Sequence, residues 1–501
     1  MSCTARACLF AVAIIATSTA KTNAARYDGQ LTLTVTDEQT GKPLACRIEL
    51  RDARGRLVRT RAEGAIPTDA GLYFDGEVVL KLRRGNYQFL IEAGPEYRTR
   101  PGTFEIQRRA EDAKQVSVLR RIDMKSESWW SGDLDVREKL DHVPLLMRAR
   151  GVDFVPVTME WTERGRKKSQ KVPKGFQAVT ETVPSCGPWA EYDRSKTGGL
   201  LTLETNLRNP SDPTDVDGPY VVGDATAWLL PVWLAEDRLS AIMVIDRYSQ
   251  GFGKNANEFQ GRLPDRKRFP GKLGYGRWCE HIYHHALNCG IYLAPAAGSG
   301  SGANGNAIGA NRTYVQLEDY QGQAVDEQFD KESWLNMFYQ GRVFVTNGPL
   351  LRTMVDGDPP GNVTVLSKGE QRDFQIALNL AFYEATQVEY LEILKNGKAI
   401  HQVRLDELAK QKGRLPKVPF DDSGWFAVRA VTNNTEFYQY AHTGPYFVEK
   451  DSKPLVQRES VQFFIDWLDA AEEEFAGDEP TLAKIESARP FWTELLKQAR
   501  P

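Results

Sequence analysis

The stretches SWWSGDLDV (128–136), DHVPLLMRARG (141–151) and VDFVPVTMEW (152–161) decide the reading of the fold. The first is a strand-like run that ends in a loop carrying two aspartates. In the second, Asp141 stands at a helix N-cap position, Pro144 falls in the first turn, Leu145, Leu146 and Ala149 are apolar, and Gly151 marks the stop. The third is apolar and strand-like again. Strand, helix and strand within roughly 35 residues make a βαβ unit, which implies parallel pairing.

Downstream, helix and strand signals keep alternating through DATAWLLPVWLAED (224–237) and SAIMVID (240–246). The stretch RWCEHIYHHALNC (277–289) reads as a helix closed by Gly290, and IYLAPAA (291–297) leads into a glycine-rich loop. Residues 123–349 are therefore predicted to form an α/β domain. Upstream, LTLTV (31–35), ACRIEL (45–50), EVVLKL (77–82) and YQFLIEA (87–93) alternate with period two between turns, which predicts a β-sandwich over 26–122 that opens with a hairpin. From 350 to 455 the chain is β-like again, and Asn396-Gly397 is a strong hairpin signal. The tail 456–501 has helical spacing. Phe463, Phe464, Trp467 and Leu468 share one face that is expected to pack on the preceding domain.

Length and composition agree with this division. A chain of 501 residues is too long for one core, and 41% hydrophobic with 26% charged residues is ordinary for a globular protein. The formal charge of −3, with Lys and Arg scattered, argues against nucleic acid and anionic membrane as partners. Residues 1–25 read as a secretory signal: Arg6 precedes the apolar run CLFAVAIIA (8–16), which is too short to span a membrane, and small residues follow. A periplasmic or secreted protein is expected, with no transmembrane segment after cleavage. Its partner is expected to be a small molecule or a cell-envelope component. Cys46, Cys186, Cys279 and Cys289 are too few for a disulfide scaffold, and their thiol or disulfide state stays open.

In βα folds, functional groups collect at the carboxyl ends of strands. Asp133, Asp135 and Glu160 fall at such ends and could bind a hard cation, act as acid and base, or pair with Arg137 and Arg164. In EHIYHH (280–285), His281 with His284 or His285 has helical ligand spacing, but no third ligand is apparent, which favours a structural role. The loop AGSGSGANGNAIGAN (297–311) contains a G-x-G-x-x-G that no helix pattern follows, so it reads as a flexible loop near the site.

Taken together, SWWSGDLDV, LLMRARGVDFVPVTMEW, AEYDR (190–194), PVWLAED, IYHHALNCGIYLAPAAGSGSG, GRVFVTNGPLL (341–351), YLEILKNGK and SGWFAVRAVT resemble the PHP (polymerase and histidinol phosphatase) superfamily, in the branch of the CehA/McbA-type metallohydrolases. The N-terminal stretch with RGNYQFLIEAGPEY resembles a carboxypeptidase-regulatory-like sandwich. The resemblance implies a multidomain α+β chain with an N-terminal β-sandwich, a central PHP-like distorted α/β barrel, and a C-terminal β-sandwich with a helical tail. It also implies a metal at the barrel mouth that activates water.

The family's first motif reads like GDLHVH, whereas this chain has Asp135 and Arg137 in place of both histidines. A guanidinium cannot ligate a cation, and at a few ångströms it repels one by about 4 kcal/mol at an effective dielectric of 20. Tyr220 and IDRYS (245–249) stand where further histidines are expected, while Glu191 and His285 match family positions. The preferred expectation is a chain without hydrolase activity that serves as a binding or assembly module. In that reading no metal or other cofactor is expected, and Asp135, Arg137 and His285 are ligand-binding residues, with Arg137 gripping an anion or pairing with Asp135. The alternative is an active ester or phosphoester hydrolase using Zn or Mn, with catalytic Asp133, Glu160 and Glu191 in a carboxylate-rich site.

Overall fold

A computed structural model of the chain describes residues 27–158, 160–163, 166–169, 185–192, 199–202, 220–237, 239–251, 259, 261–302, 306–317, 329–381 and 387–500. The expected leader, 1–25, lies outside these residues. The architecture is mixed α and β, rich in strands, and contains several sheets.

Strands Gly29–Asp37 and Gly85–Glu92 alternate buried and more open positions, as strands with one covered face must. A sheet of Glu77–Leu82, Gly29–Asp37 and Glu111–Val118 and a second sheet of five strands, with Ala45–Asp52 at its centre, enclose Leu33, Val35, Cys46, Ile48, Leu80, Phe89 and Ile91. The expected opening hairpin is absent as a ladder. A single bridge joins Thr36 to Pro43, after which the chain crosses to the opposite sheet, where Ala45–Asp52 pairs with Gly71–Asp75 and Gly85–Glu92. Both apolar rows, Leu31-Leu33-Val35 and Cys46-Ile48-Leu50, thereby face one core from opposite sides.

The deciding stretches form strand Trp129–Gly132, helix Val143–Arg150 and strand Phe154–Thr158, and the strands pair in parallel through Gly132 and Phe154. Pro144 sits in the first turn, and Gly151 closes the helix at φ 61°. The cap position belongs to His142 and not to Asp141: the His142 carbonyl accepts a helical bond from Leu146 N–H at 3.1 Å, and its side chain makes no capping bond. Ala45 and Tyr73 of the sandwich pack with Val143, Leu146 and Met147 of this helix.

The central sheet runs Ala294–Ala297, Leu239–Ile245, Tyr220–Val222, Leu200–Thr202, Ser185–Tyr192, Phe154–Thr158, Trp129–Gly132 and Arg312–Gln316. Its ends approach one another: Leu134 N–H donates to the Ala297 carbonyl at 3.1 Å, and Arg137 N–H donates to Ser301 O at 2.9 Å. The ladder also continues without a break into the C-terminal half, since Val343–Thr346 pairs with Tyr440–Thr443. There Asn396 and Gly397, at φ 51° and 79°, form the expected hairpin turn, with Lys395 opposite Lys398.

Helices Arg458–Glu474 and Glu479–Gln498 form the tail. They dock chiefly on the central helices, a departure from the expected seat on the preceding β unit. Trp467 stacks on Trp278 at 6.1 Å, and Trp492 Nε1–H donates to the Pro231 carbonyl at 2.9 Å. Among the described residues, Cys46, Cys279 and Cys289 are free and buried, while the side chain of Cys186 lies outside them. No helix among them is long and apolar enough to cross a membrane.

Candidate functional site

Six of the central strands, all but Leu200–Thr202 and Arg312–Gln316, run in one direction, so their carboxyl ends share one edge. Segment Asp133–Arg137 is stitched into that edge from both sides. Asp133 N–H donates to Phe154 O at 3.0 Å, Thr158 N–H donates to Val136 O at 2.8 Å, and the bonds to Ala297 and Ser301 hold the other flank.

Asp133 is fully buried. Its Oδ1 accepts from the N–H groups of Ser299 at 2.8 Å and Asp135 at 3.3 Å, and its Oδ2 accepts from Gly309 N–H at 2.7 Å. Burial pushes its carboxyl up to about 6, and the donors from Gly309, Ser299 and Asp135 oppose that rise. Asp133 therefore binds more protons folded than unfolded between about pH 4 and 6. Its contribution favours folding below that window and is lost as pH rises through about 6, on the order of 3 kcal/mol in all. The stability advantage of wild type over Asp133→Asn should accordingly shrink from about pH 4 to about pH 7 in urea titrations. Equal pH dependence in the two proteins would contradict this.

Asp135 and Arg137, 3% and 6% exposed, form a bidentate pair. Arg137 Nε donates to Oδ1 at 2.8 Å and Nη2 donates to Oδ2 at 3.2 Å, while Arg247 Nη1 stands 3.9 Å from Oδ2. One carboxylate thus has two guanidinium partners, whose positive charge disfavours a divalent cation beside it. The glycine-rich loop is the third wall. A Cβ on Gly298 would stand 2.7 Å from Asp135 Cβ, and Gly300 and Gly302, at φ 60° and 81°, press on Arg247 and Arg137. Its residues 297–301 are buried. Asn311 pins the loop by donating to Asp246 O and Gly298 O, both at 2.8 Å, so this part is fastened, where a flexible loop was expected.

Two carboxylates not selected from the sequence complete the edge. Asp224 and Asp246 follow neighbouring parallel strands, and both are buried. Asp246 accepts from Tyr248 N–H at 2.9 Å, from Ser249 Oγ at 3.1 Å, and from the Tyr275 hydroxyl. Burial, then the Asp224 charge, push the Asp246 carboxyl up to about 7. Asp224 accepts from Thr226 N–H and Oγ1. Their signal in the sequence is position alone, an aspartate shortly after a strand.

Glu160 begins strand Glu160–Glu163 and Glu191 lies in Ser185–Tyr192, but their side chains fall outside the described residues. His285 is not brought to the edge. Its Nδ1 is 2.9 Å from Ser460 Oγ, its Nε2 is 2.9 Å from His281 Nε2, and its ring stacks on Phe463 of the tail. Of EHIYHH, Glu280 and His284 stand with His442, one potential ligand atom of each lying within 4.8 Å of the others, and His281 and His285 are not part of this group.

A separate groove of about 360 Å³ is lined by residues including Tyr292, Pro359, Pro360, Val363, Pro445 and Phe447. It flanks strand Val363–Leu366, which among the described residues pairs only with Tyr446–Lys450 and leaves Val363 and Val365 41% and 53% exposed.

No family model and no curated protein matches the chain. Among solved structures it is similar to the TIE protein of Bacillus anthracis, at 19% identity and a TM-score of 0.15 over 23% of this chain and 20% of that chain. It is also similar to the major pilin subunit of Bacillus cereus, at 7% identity and a TM-score of 0.23 over 84% and 69%. A third is the β-glucuronidase of Parabacteroides merdae, at 9% identity and a TM-score of 0.19 over 81% and 61%. All three TM-scores lie far below the level of a shared fold.

Proposed function

We propose that the chain is an exported, PHP-like protein whose barrel mouth is closed by an internal ion pair and which acts as a binding or assembly module. The observation that carries this reading is the buried bidentate pair of Asp135 and Arg137, with Arg247 beside it. A metal-bound water reaches a pKa near 7 because a cation polarises it, and two guanidinium groups at the same place disfavour that cation. Arg137 also spends two of its donors on Asp135, which favours the internal pair over the grip on an anion. The groove at Tyr292 and Phe447, which Gln340, Arg342, Asp358 and Asn362 also line and which lies next to an exposed strand edge, supports binding to a small molecule or a cell-envelope component.

One observation favours the second reading, a hydrolase with a rearranged site. Asp133, Asp135, Asp224 and Asp246 share an edge, and burial holds Asp133 and Asp246 close to neutral pH as proton carriers. The test is a panel of carboxylester and phosphoester substrates with added Zn or Mn, run on wild type, Asp133→Asn and Asp246→Asn. No turnover above the variants is expected. Turnover that either substitution abolishes would establish the hydrolase.

A further inference from the structure

We propose that Glu280, His284 and His442 bind one divalent cation of the zinc class in the interior, where it pins helix Gly274–Asn288 to strand Tyr440–Thr443. This site is distinct from the carboxyl edge and goes beyond the reading of that edge.

Glu280 and His284 lie one helical turn apart and share a face, while His442 arrives from a strand 158 residues further on. The Nε2 atoms of His284 and His442 are 3.1 Å apart in a hydrogen bond that a shared cation would replace, and two imidazole nitrogens on one tetrahedral zinc stand roughly 3.3 Å apart. The tautomer of His442 is fixed by its other nitrogen. Nδ1 lies 2.6 Å from the Thr443 carbonyl, which can only accept, so the proton is on Nδ1 and Nε2 presents a lone pair. An imidazole anchored in this way through its far nitrogen is how proteins orient a metal-binding histidine.

The second observation is Glu280 itself. The residue is 3% exposed. Its Oε2 is held by Arg429 and by the Tyr438 hydroxyl, but its buried Oε1 has no hydrogen-bond partner among the described residues. That oxygen is 4.0 Å from His442 Nε2, so a side-chain rotation moving it by about 1 Å completes a triangle of ligands. Native proteins rarely leave a buried carboxylate oxygen unpaired.

Charge points the same way. Arg429 is shared between Glu280 and Glu392, so two carboxylates face one guanidinium beside imidazoles that are neutral when they ligate. This cluster has a negative charge to spare, whereas Asp135 at the carboxyl edge is outnumbered by arginines. Two nitrogens and one oxygen are a zinc donor set, with a fourth tetrahedral position left over.

The full-length protein would be unfolded with a chelator, refolded with or without one equivalent of zinc, desalted, and assayed for zinc by elemental mass spectrometry. About one zinc per chain is expected after refolding with zinc, together with a higher urea midpoint than in the zinc-free sample. His442→Ala and Glu280→Gln are expected to retain less than about a tenth as much, and Glu280→Gln keeps the shape of the side chain. Wild type that refolds in the presence of zinc yet carries none after desalting overturns the proposal, a result that does not depend on any variant folding. Equal zinc in wild type and both variants also overturns it. Zinc lost from Asp135→Asn but kept by His442→Ala would place the cation at the carboxyl edge, and would sink both this site and the reading of that edge.

Discussion

Arg137→Met is expected to lower the unfolding free energy by about 3–5 kcal/mol, because it strands the Asp135 carboxylate in a site only 3% exposed. Arg247, 3.9 Å from the same carboxylate, moderates the loss. It does not replace the two hydrogen bonds that Arg137 makes at 2.8 and 3.2 Å. The double variant Asp135→Leu/Arg137→Met removes both charges and should recover most of that loss, since a buried pair is worth little against apolar residues of similar volume. Urea denaturation of the two single variants and the double closes the cycle. Additive losses would mean that the two side chains are not coupled, and the ion pair would lose its place in the argument for the edge.

The other large effect is expected far from that edge. Trp492→Ala should cost about 3–5 kcal/mol, as truncation of a fully buried aromatic does. Trp492 is 0% exposed, stacks on Phe464 at 4.9 Å, and donates to the Pro231 carbonyl. The substitution therefore empties the seam between the tail and helix Leu230–Ala235. Trp492→Phe keeps most of the volume and loses the hydrogen bond, so a smaller loss of about 1–3 kcal/mol is expected. If Trp492→Ala unfolded with an unchanged midpoint, the tail would be an appendage and not part of the central core.

Local rules carried much of the fold. Gly151 ended its helix, Asn396-Gly397 turned its hairpin, and the period-two runs before residue 119 became strands, because each of these depends on neighbours a few residues away. Pairing partners were less legible. LTLTV and ACRIEL alternate alike, and nothing in either run says that they belong to opposite sheets. The seat of the tail was equally hidden, since the face of Phe463, Phe464, Trp467 and Leu468 is apolar towards any partner. At the candidate site, Asp135 and Arg137 stand two residues apart in the sequence, and their pairing was one of two alternatives, the other being a grip on an anion. His442 could not have been found, because it meets Glu280 and His284 only through the closure of a sheet that spans both halves of the chain.

Anomalous diffraction from crystals grown with zinc or manganese tests the central claim about the carboxyl edge most directly. With data collected on both sides of the metal absorption edge, no anomalous peak is expected within bonding distance of Asp133 or Asp135, and the Arg137 guanidinium should remain on its carboxylate. A cation seated beside Asp135, with Arg137 swung away, would contradict the proposed closure of this edge and favour the hydrolase reading.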